Sequence, residues 1–191
     1  MMYLNPLMTD LIDPKFQGSH EWMQTFTGRA FWALNPKAED IHIQDIAHGL
    51  SNICRYNGQC ANFYSVAEHS VLLYQALPPQ FRFWGLMHDA SEAYICDVPR
   101  PYKHALTNYK EIEERIMRVI ADKYGMPWPM PDEVKALDSQ IIINEKAALF
   151  KTEPAPWRIH GEPIPKLEIH CWPPSTAKAQ FLNAFADCVT S

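Results

Sequence analysis

A chain of 191 residues, 47% of them apolar and 20% charged, is long enough to bury a substantial core in one domain and has the make-up of an ordinary globular protein. Its net charge of −5 disfavours non-specific attachment to a nucleic-acid polymer or an anionic membrane, although a small anionic substrate could still be gathered by local cations. The sequence holds no apolar run long enough to span a membrane and no signal-peptide pattern. Its five cysteines, without a C-x-x-C pair, predict free thiols in a reducing cytoplasm rather than a disulfide framework or a zinc ribbon.

Residues 1–24 carry no sustained periodicity and are expected to form an arm ahead of a single helical domain over 25–191. The aromatic alternation from Thr25 to Leu34 predicts a short strand or hairpin. From there the reading is helical. Ile43, Ile46, Ala47, Leu50 and Ile53 share one stripe of a helix over 43–56. Val66, His69, Leu73 and Ala76 repeat the pattern over 65–77, where Pro78-Pro79 ends it. A third helix is expected over 80–94, with Phe81, Trp84 and Met87 on a face that continues to His88. The clearest amphipathic segment is 107–124, in which Tyr109, Ile112, Ile116, Val119, Ile120 and Tyr124 align before Gly125. A helix over 131–151, with Asp138 near its second turn, and a last one from a Ser175 cap to about residue 189 complete an all-α bundle. The 16 prolines gather in connections, of which 152–174 is the longest irregular one.

The stretch Met87-His88-Asp89-Ala90-Ser91-Glu92 concentrates ligand and acid/base chemistry, and helical spacing is expected to return Glu92 to the face of His88. A lone histidine on an apolar face is ordinarily a core residue with its ring hydrogen-bonded. Asp138, too, sits on a mostly apolar helix, with Val134, Leu137, Ile141 and Ile142. A buried unpaired carboxylate, however, is costly. His69, the His88-Asp89 pair and Asp138 all fall on core-facing stripes of separate helices, so one cation would satisfy all four together. Two imidazoles and two carboxylates without a thiolate suit one divalent ion: Mn, Fe, Co or Zn. Such an ion, with positions left open, polarises a P–O bond and lowers the pKa of water.

The segments that carry this set are Val66-Ala67-Glu68-His69-Ser70, His88-Asp89-Ala90-Ser91-Glu92-Ala93, Asp97-Val98-Pro99-Arg100-Pro101-Tyr102-Lys103 and Asp138. Ahead of them stand Ile46-Ala47 and Leu50-Ser51-Asn52-Ile53-Cys54-Arg55-Tyr56. Over roughly residues 25–150 the chain resembles the HD-domain phosphohydrolases, most closely the small bacterial 5′-deoxynucleotidases and their phage and prophage relatives. The resemblance implies a compact HD-type bundle whose metal ligands are His69, His88, Asp89 and Asp138. It implies that Glu92 orients or deprotonates the attacking water, and that Asp97 lies near the sugar or supports Glu92. Arg55 matches an arginine that grips phosphate and Tyr56 an aromatic that stacks on the base; relatives often carry Trp there. Lys103 and Lys135 suit cations that neutralise phosphate charge. A homo-oligomer, dimer or hexamer, is implied as well.

The expected reaction is in-line attack of water at the phosphorus bonded to O5′ of a deoxynucleotide. A monophosphate gives nucleoside and phosphate. The same phosphorus in a dNTP gives triphosphate, as in some phage relatives acting on dATP, with additional Mg or Mn accompanying the substrate. Two further alternatives are a nucleotide-binding HD domain without turnover and a cyclic-nucleotide phosphodiesterase. The ligand set together with Glu92 weighs against the first, the short chain and the D-x-P-x-P-x-K loop against the second. Nucleophilic enzymes find no G-x-S-x-G elbow and no cysteine with an evident base. Seven unclustered glycines provide no phosphate-cradling loop.

Overall fold

A computed structural model describes residues 21–190. Among them a two-stranded hairpin precedes α1 (Ile43–Asn52), α2 (Val66–Ala76), α3 (Arg82–Met87), α4 (Glu92–Ile95), α5 (Arg100–Lys103), α6 (Tyr109–Lys123), α7 (Asp132–Leu149) and α8 (Pro174–Thr190). The all-α expectation with an N-terminal hairpin is met. No helix of the described residues is long and apolar enough to cross a membrane.

Helix α2 is the centre of the bundle. Ser65 caps it, its Oγ accepting the Glu68 N–H at 3.0 Å, and the Pro78-Pro79 pair follows its end at Leu77. Every residue from Val66 to Leu73 is buried, the pattern of a helix surrounded by others. Helices α3 and α8 pack along it, and α8 also lies against α1. Phe181 and Ala177 of α8 join Leu50, Val66, Leu73, Leu86, Ile120 and Ile141 in one apolar core. Two glycines set close approaches. A Cβ on Gly85 would lie 2.3 Å from Leu77 Cδ1, and one on Gly49 would lie 2.9 Å from Ala93 Cβ. The second keeps α1 tight against α4.

Several boundaries differ from the periodicity. The hairpin begins earlier, with β1 (Met23–Gln24) antiparallel to β2 (Ala30–Phe31) and Met23 opposite Phe31. Of the arm expected over 1–24, residues 1–20 lie outside the described residues. Gly28, at φ +80°, makes the turn, and Asp45 of α1 anchors it by accepting from Thr27 N–H at 2.7 Å and Thr27 Oγ–H at 2.9 Å. Phe31 stacks on Tyr94 of α4 at 4.0 Å between ring centroids. The helix expected over 80–94 is interrupted: between α3 and α4, Ala90, Glu92, Ala93 and Tyr94 all donate to the carbonyl three residues back. Helix α8 starts at Pro174, one residue before the expected cap, because proline is preorganised for the first helical position.

The 152–174 excursion is tied down at two points. Asn144 of α7 brackets Ile164, donating to its carbonyl at 3.0 Å and accepting its N–H at 2.8 Å. Further on, the carboxylate of Glu68 accepts three successive backbone N–H groups, from His170 at 2.7 Å, Cys171 at 2.9 Å and Trp172 at 2.6 Å. Cys171 takes φ +56°, which turns neighbouring amides toward one anion.

Candidate metal centre

His69 comes from the buried middle of α2, His88 and Asp89 from the tight turn after α3, and Asp138 from the second turn of α7. Their ligand atoms converge. His69 Nε2 lies 3.2 Å from His88 Nε2 and 3.1 Å from Asp138 Oδ1. His88 Nε2 lies 3.1 Å from Asp89 Oδ2 and 3.7 Å from Asp138 Oδ1, and Asp89 Oδ2 is 3.8 Å from His69 Nε2. His69, His88 and Asp138 form the tighter group, with ligand atoms all within 4.8 Å of one another; Asp89 closes the site from the His88 side.

Ring orientation explains the convergence. His69 Nδ1–H donates to Glu145 Oε1 at 2.6 Å, and His88 Nδ1–H donates to the Gly85 carbonyl at 2.8 Å. With both Nδ1 atoms engaged, both Nε2 atoms turn to the same point. Two nitrogens that close, facing two carboxylates, fit a shared divalent cation better than they fit one another. Two imidazoles, two carboxylates and no thiolate suit a borderline or hard ion.

The electrostatics agree with the geometry. Burial pulls the two imidazoles down, but Glu145 and Asp138 outweigh it at His69, and Asp89 and Asp138 at His88, so both are raised. Burial pushes the two aspartates up, yet the imidazoles hold Asp138 well below the usual carboxylate range and Asp89 at about 2. The pocket therefore stabilises positive charge at this point.

Arg55 and Tyr56 stand on the short turn between α1 and α2. Tyr56 and Asn57 are left-handed, at φ +56° and +53°, a conformation that costs non-glycine residues about 1 kcal/mol each. The turn is fixed by Arg55 N–H to the Tyr64 carbonyl and Ala61 N–H to the Leu149 carbonyl, both at 2.9 Å. The guanidinium lies 3.5 Å from Asp89 Oδ2 and 3.4 Å from Glu145 Oε2, while its Nε is buried with no hydrogen-bond partner. The Tyr56 hydroxyl donates inward to Glu145, and its ring meets Phe150 and Trp157 edge-on. This is not the free stacking face expected of Tyr56.

Glu92 is buried, with Oε1 at 3.4 Å from Lys103 Nζ and Oε2 unpartnered. Burial first, then Asp89 and Asp97, push its carboxyl well up. It does not sit directly above His88, because the i to i+3 bonding of residues 87–94 tightens the path to about three residues per turn. Asp97 follows Cys96, which turns the chain at φ +62°. Its carboxyl is raised by burial against the pull of Arg55 and Lys103. The two lysines depart from expectation. Lys103 is held by Glu113 at 2.9 Å as well as by Glu92, so its charge is already engaged. Lys135 is exposed and pairs with Asp132 at 2.7 Å, a local surface contact of small energetic weight.

Sequence reasoning did not reach Glu145. It is fully buried on α7 and accepts from His69 Nδ1, from Tyr64 O–H at 2.9 Å and from Tyr56 O–H, with Arg55 alongside. Burial pushes its carboxyl up, but Arg55 and His69 bring it down to about 2. A signal was present: Asp138, Ile141, Glu145 and Leu149 follow helical spacing, which puts a glutamate on the core stripe of α7.

Over 169 residues the chain is 41% identical to the uncharacterized protein YfdR of Escherichia coli (strain K12), covering 87% of this chain and 94% of the relative. Over 180 residues it is 34% identical to an uncharacterized protein of Rhodobacter capsulatus, covering 84% of this chain and 91% of the relative. No family model matches the chain.

Proposed function

The chain belongs to the family of Escherichia coli YfdR, and we propose that it is a metal-dependent HD-type phosphohydrolase that releases phosphate from deoxynucleoside 5′-monophosphates. One observation carries the reading: four nitrogen and oxygen ligand atoms from three separate helical segments meet with contacts of 3.1 to 3.8 Å. His69, His88, Asp89 and Asp138 would hold the ion. When bound, such an ion lowers the pKa of water and polarises the P–O bond.

The remaining steps belong to the chain's own groups. The Arg55 fork is buried beside Asp89 with an unpartnered Nε, and this cation would anchor a phosphate oxygen and orient the phosphorus. Glu92 Oε2 has no partner and would take a proton from the attacking water. A carboxyl pushed up by burial and by Asp89 and Asp97 accepts a proton readily once it is ionised. Lys103 keeps Glu92 in place and, with its positive charge, opposes that rise. Asp97, in the loop after α4, would meet the sugar hydroxyl.

The engaged lysines favour monophosphate over triphosphate. Of the three cations expected to serve a long phosphate chain, Lys103 is held between two glutamates and Lys135 faces solvent beside Asp132. Arg55 alone among them lies at the cluster. The test is phosphate release from a panel of dNMPs and dNTPs with Mn2+ or Co2+ supplied, with products resolved chromatographically. The expected outcome is orthophosphate from dNMPs. Triphosphate from dNTPs with dNMPs untouched would establish the other substrate class, and metal-loaded protein inert on every nucleotide would leave only a binding role.

A further inference from the structure

We infer that Glu145 is a positioning residue for both halves of the site. It fixes His69 in the tautomer that presents bare Nε2 to the ion, and the same carboxylate anchors Tyr56 and Arg55. The inference rests on the reading of the His69, His88, Asp89 and Asp138 cluster as a metal centre, and extends it to a residue that touches neither metal nor substrate.

The geometry divides the carboxylate cleanly. Oε1 takes His69 Nδ1–H at 2.6 Å and Tyr64 O–H at 2.9 Å. Oε2 takes Tyr56 O–H and lies 3.4 Å from Arg55 Nη2. A carboxylate is an acceptor only, so every group facing Glu145 must donate. His69 therefore carries its proton on Nδ1, and its Nε2 lone pair is left to point at His88 and Asp138. Carboxylate partners of this kind raise the basicity of a ligating imidazole and hold its plane. On the other side the same charge restrains Tyr56, in its left-handed turn, and the Arg55 fork. Ligand and phosphate anchor thus share one buried hub, and a shift of Glu145 would disturb both.

Glutamine is the informative replacement. Its amide matches the carboxylate in shape, but one end is now a donor. If its oxygen serves His69, its NH2 faces the Arg55 guanidinium, donor against donor, and Tyr56 must turn its hydroxyl from donor to acceptor. If it is flipped, His69 Nδ1 faces a donor and must give up its proton to Nε2. Either arrangement breaks one half of the site.

Two readouts test this, neither of which depends on turnover. The first is Co2+ titration of the full chain, followed by visible absorption, for wild type, Glu145→Gln, Glu145→Asp and Tyr64→Phe. The expected result is a loss of affinity of about 10- to 100-fold in both Glu145 variants, with an altered ligand-field spectrum. Tyr64→Phe removes the other donor to Oε1 and is expected to lower stability and leave affinity and spectrum in place. Glu145→Asp keeps the negative charge and so guards against a Glu145→Gln protein that does not fold. The second readout is the 15N shifts of the His69 ring in metal-free protein, at a pH where the ring is neutral. Nδ1-protonated imidazole is expected in wild type, with a shifted tautomer balance in the Glu145 variants.

Unchanged Co2+ affinity and spectrum in both Glu145 variants would overturn the inference, as would an Nε2-protonated His69 in wild type. Wild-type protein that takes up no Co2+ would instead refute the metal reading, and the tautomer measurement would still decide the role of Glu145.

Discussion

Glu68, beneath the 152–174 excursion, and Glu145, beneath the candidate metal centre, are both buried completely, yet they are met by different partners. Glu68 receives three backbone N–H groups, whereas Glu145 receives an arginine, a histidine and two phenols. Burial raises the Glu68 carboxyl, and the amide dipoles oppose that rise without reversing it. At Glu145 Arg55 and His69 do reverse it, to about 2. Fixed dipoles make a buried charge tolerable; side-chain donors tie it to whatever else those side chains do. The first solution fastens chain to chain. The second couples a buried carboxylate to the side chains of the candidate site.

Experiments that separate the two regions should differ in kind. The largest effect is expected from His88→Ala or Asp89→Ala. Each removes a ligand directly, so metal content by mass spectrometry and phosphate release should fall to background together, while the Glu68 clamp keeps the helical circular dichroism. Glu92→Gln should retain the metal and lose about 10²- to 10⁴-fold in turnover; a near-normal rate would remove Glu92 from proton transfer. Glu68→Ala leaves three amides without their anion and should cost about 2–4 kcal/mol in urea unfolding. The metal affinity of its folded fraction should stay unchanged. If affinity falls with stability, the clamp and the site are not separate.

The smallest effect is a slope. Glu145 is depressed from an ordinary 4.5 to about 2 in the folded protein, so its contribution to stability is complete above about 4.5. That contribution is lost as pH falls through the window down to about 2. Metal-free Glu145→Gln, followed by denaturant unfolding across that range, should show a flatter acid limb than wild type.

Most of the architecture was legible in the sequence, for identifiable reasons. Helices α1, α2, α6 and α7 are long enough for periodicity to show, and proline or glycine marks the ends of α2 and α6. The convergence of His69, His88 and Asp138 was legible because they are polar residues on apolar stripes. The break at residues 88–91 was not, since no glycine or proline marks it. The fate of Lys103 was hidden as well: its partner Glu113 lies on another helix. Tyr56 was read as a stacking face from the resemblance, and its hydroxyl partner Glu145 lies 89 residues away in the chain. Glu145 was the omission that mattered: it shares the core stripe of α7 with Asp138 but belongs to no motif of its own.

Glu68 immediately precedes His69, and it borrows its donors from residues 170–172. Residues 170–172 must therefore be in place before α2 can bury that charge with its donors satisfied, although the stretch supplies none of the proposed ligands. The early helix and the late segment thus reach their final packing together, held by one carboxylate.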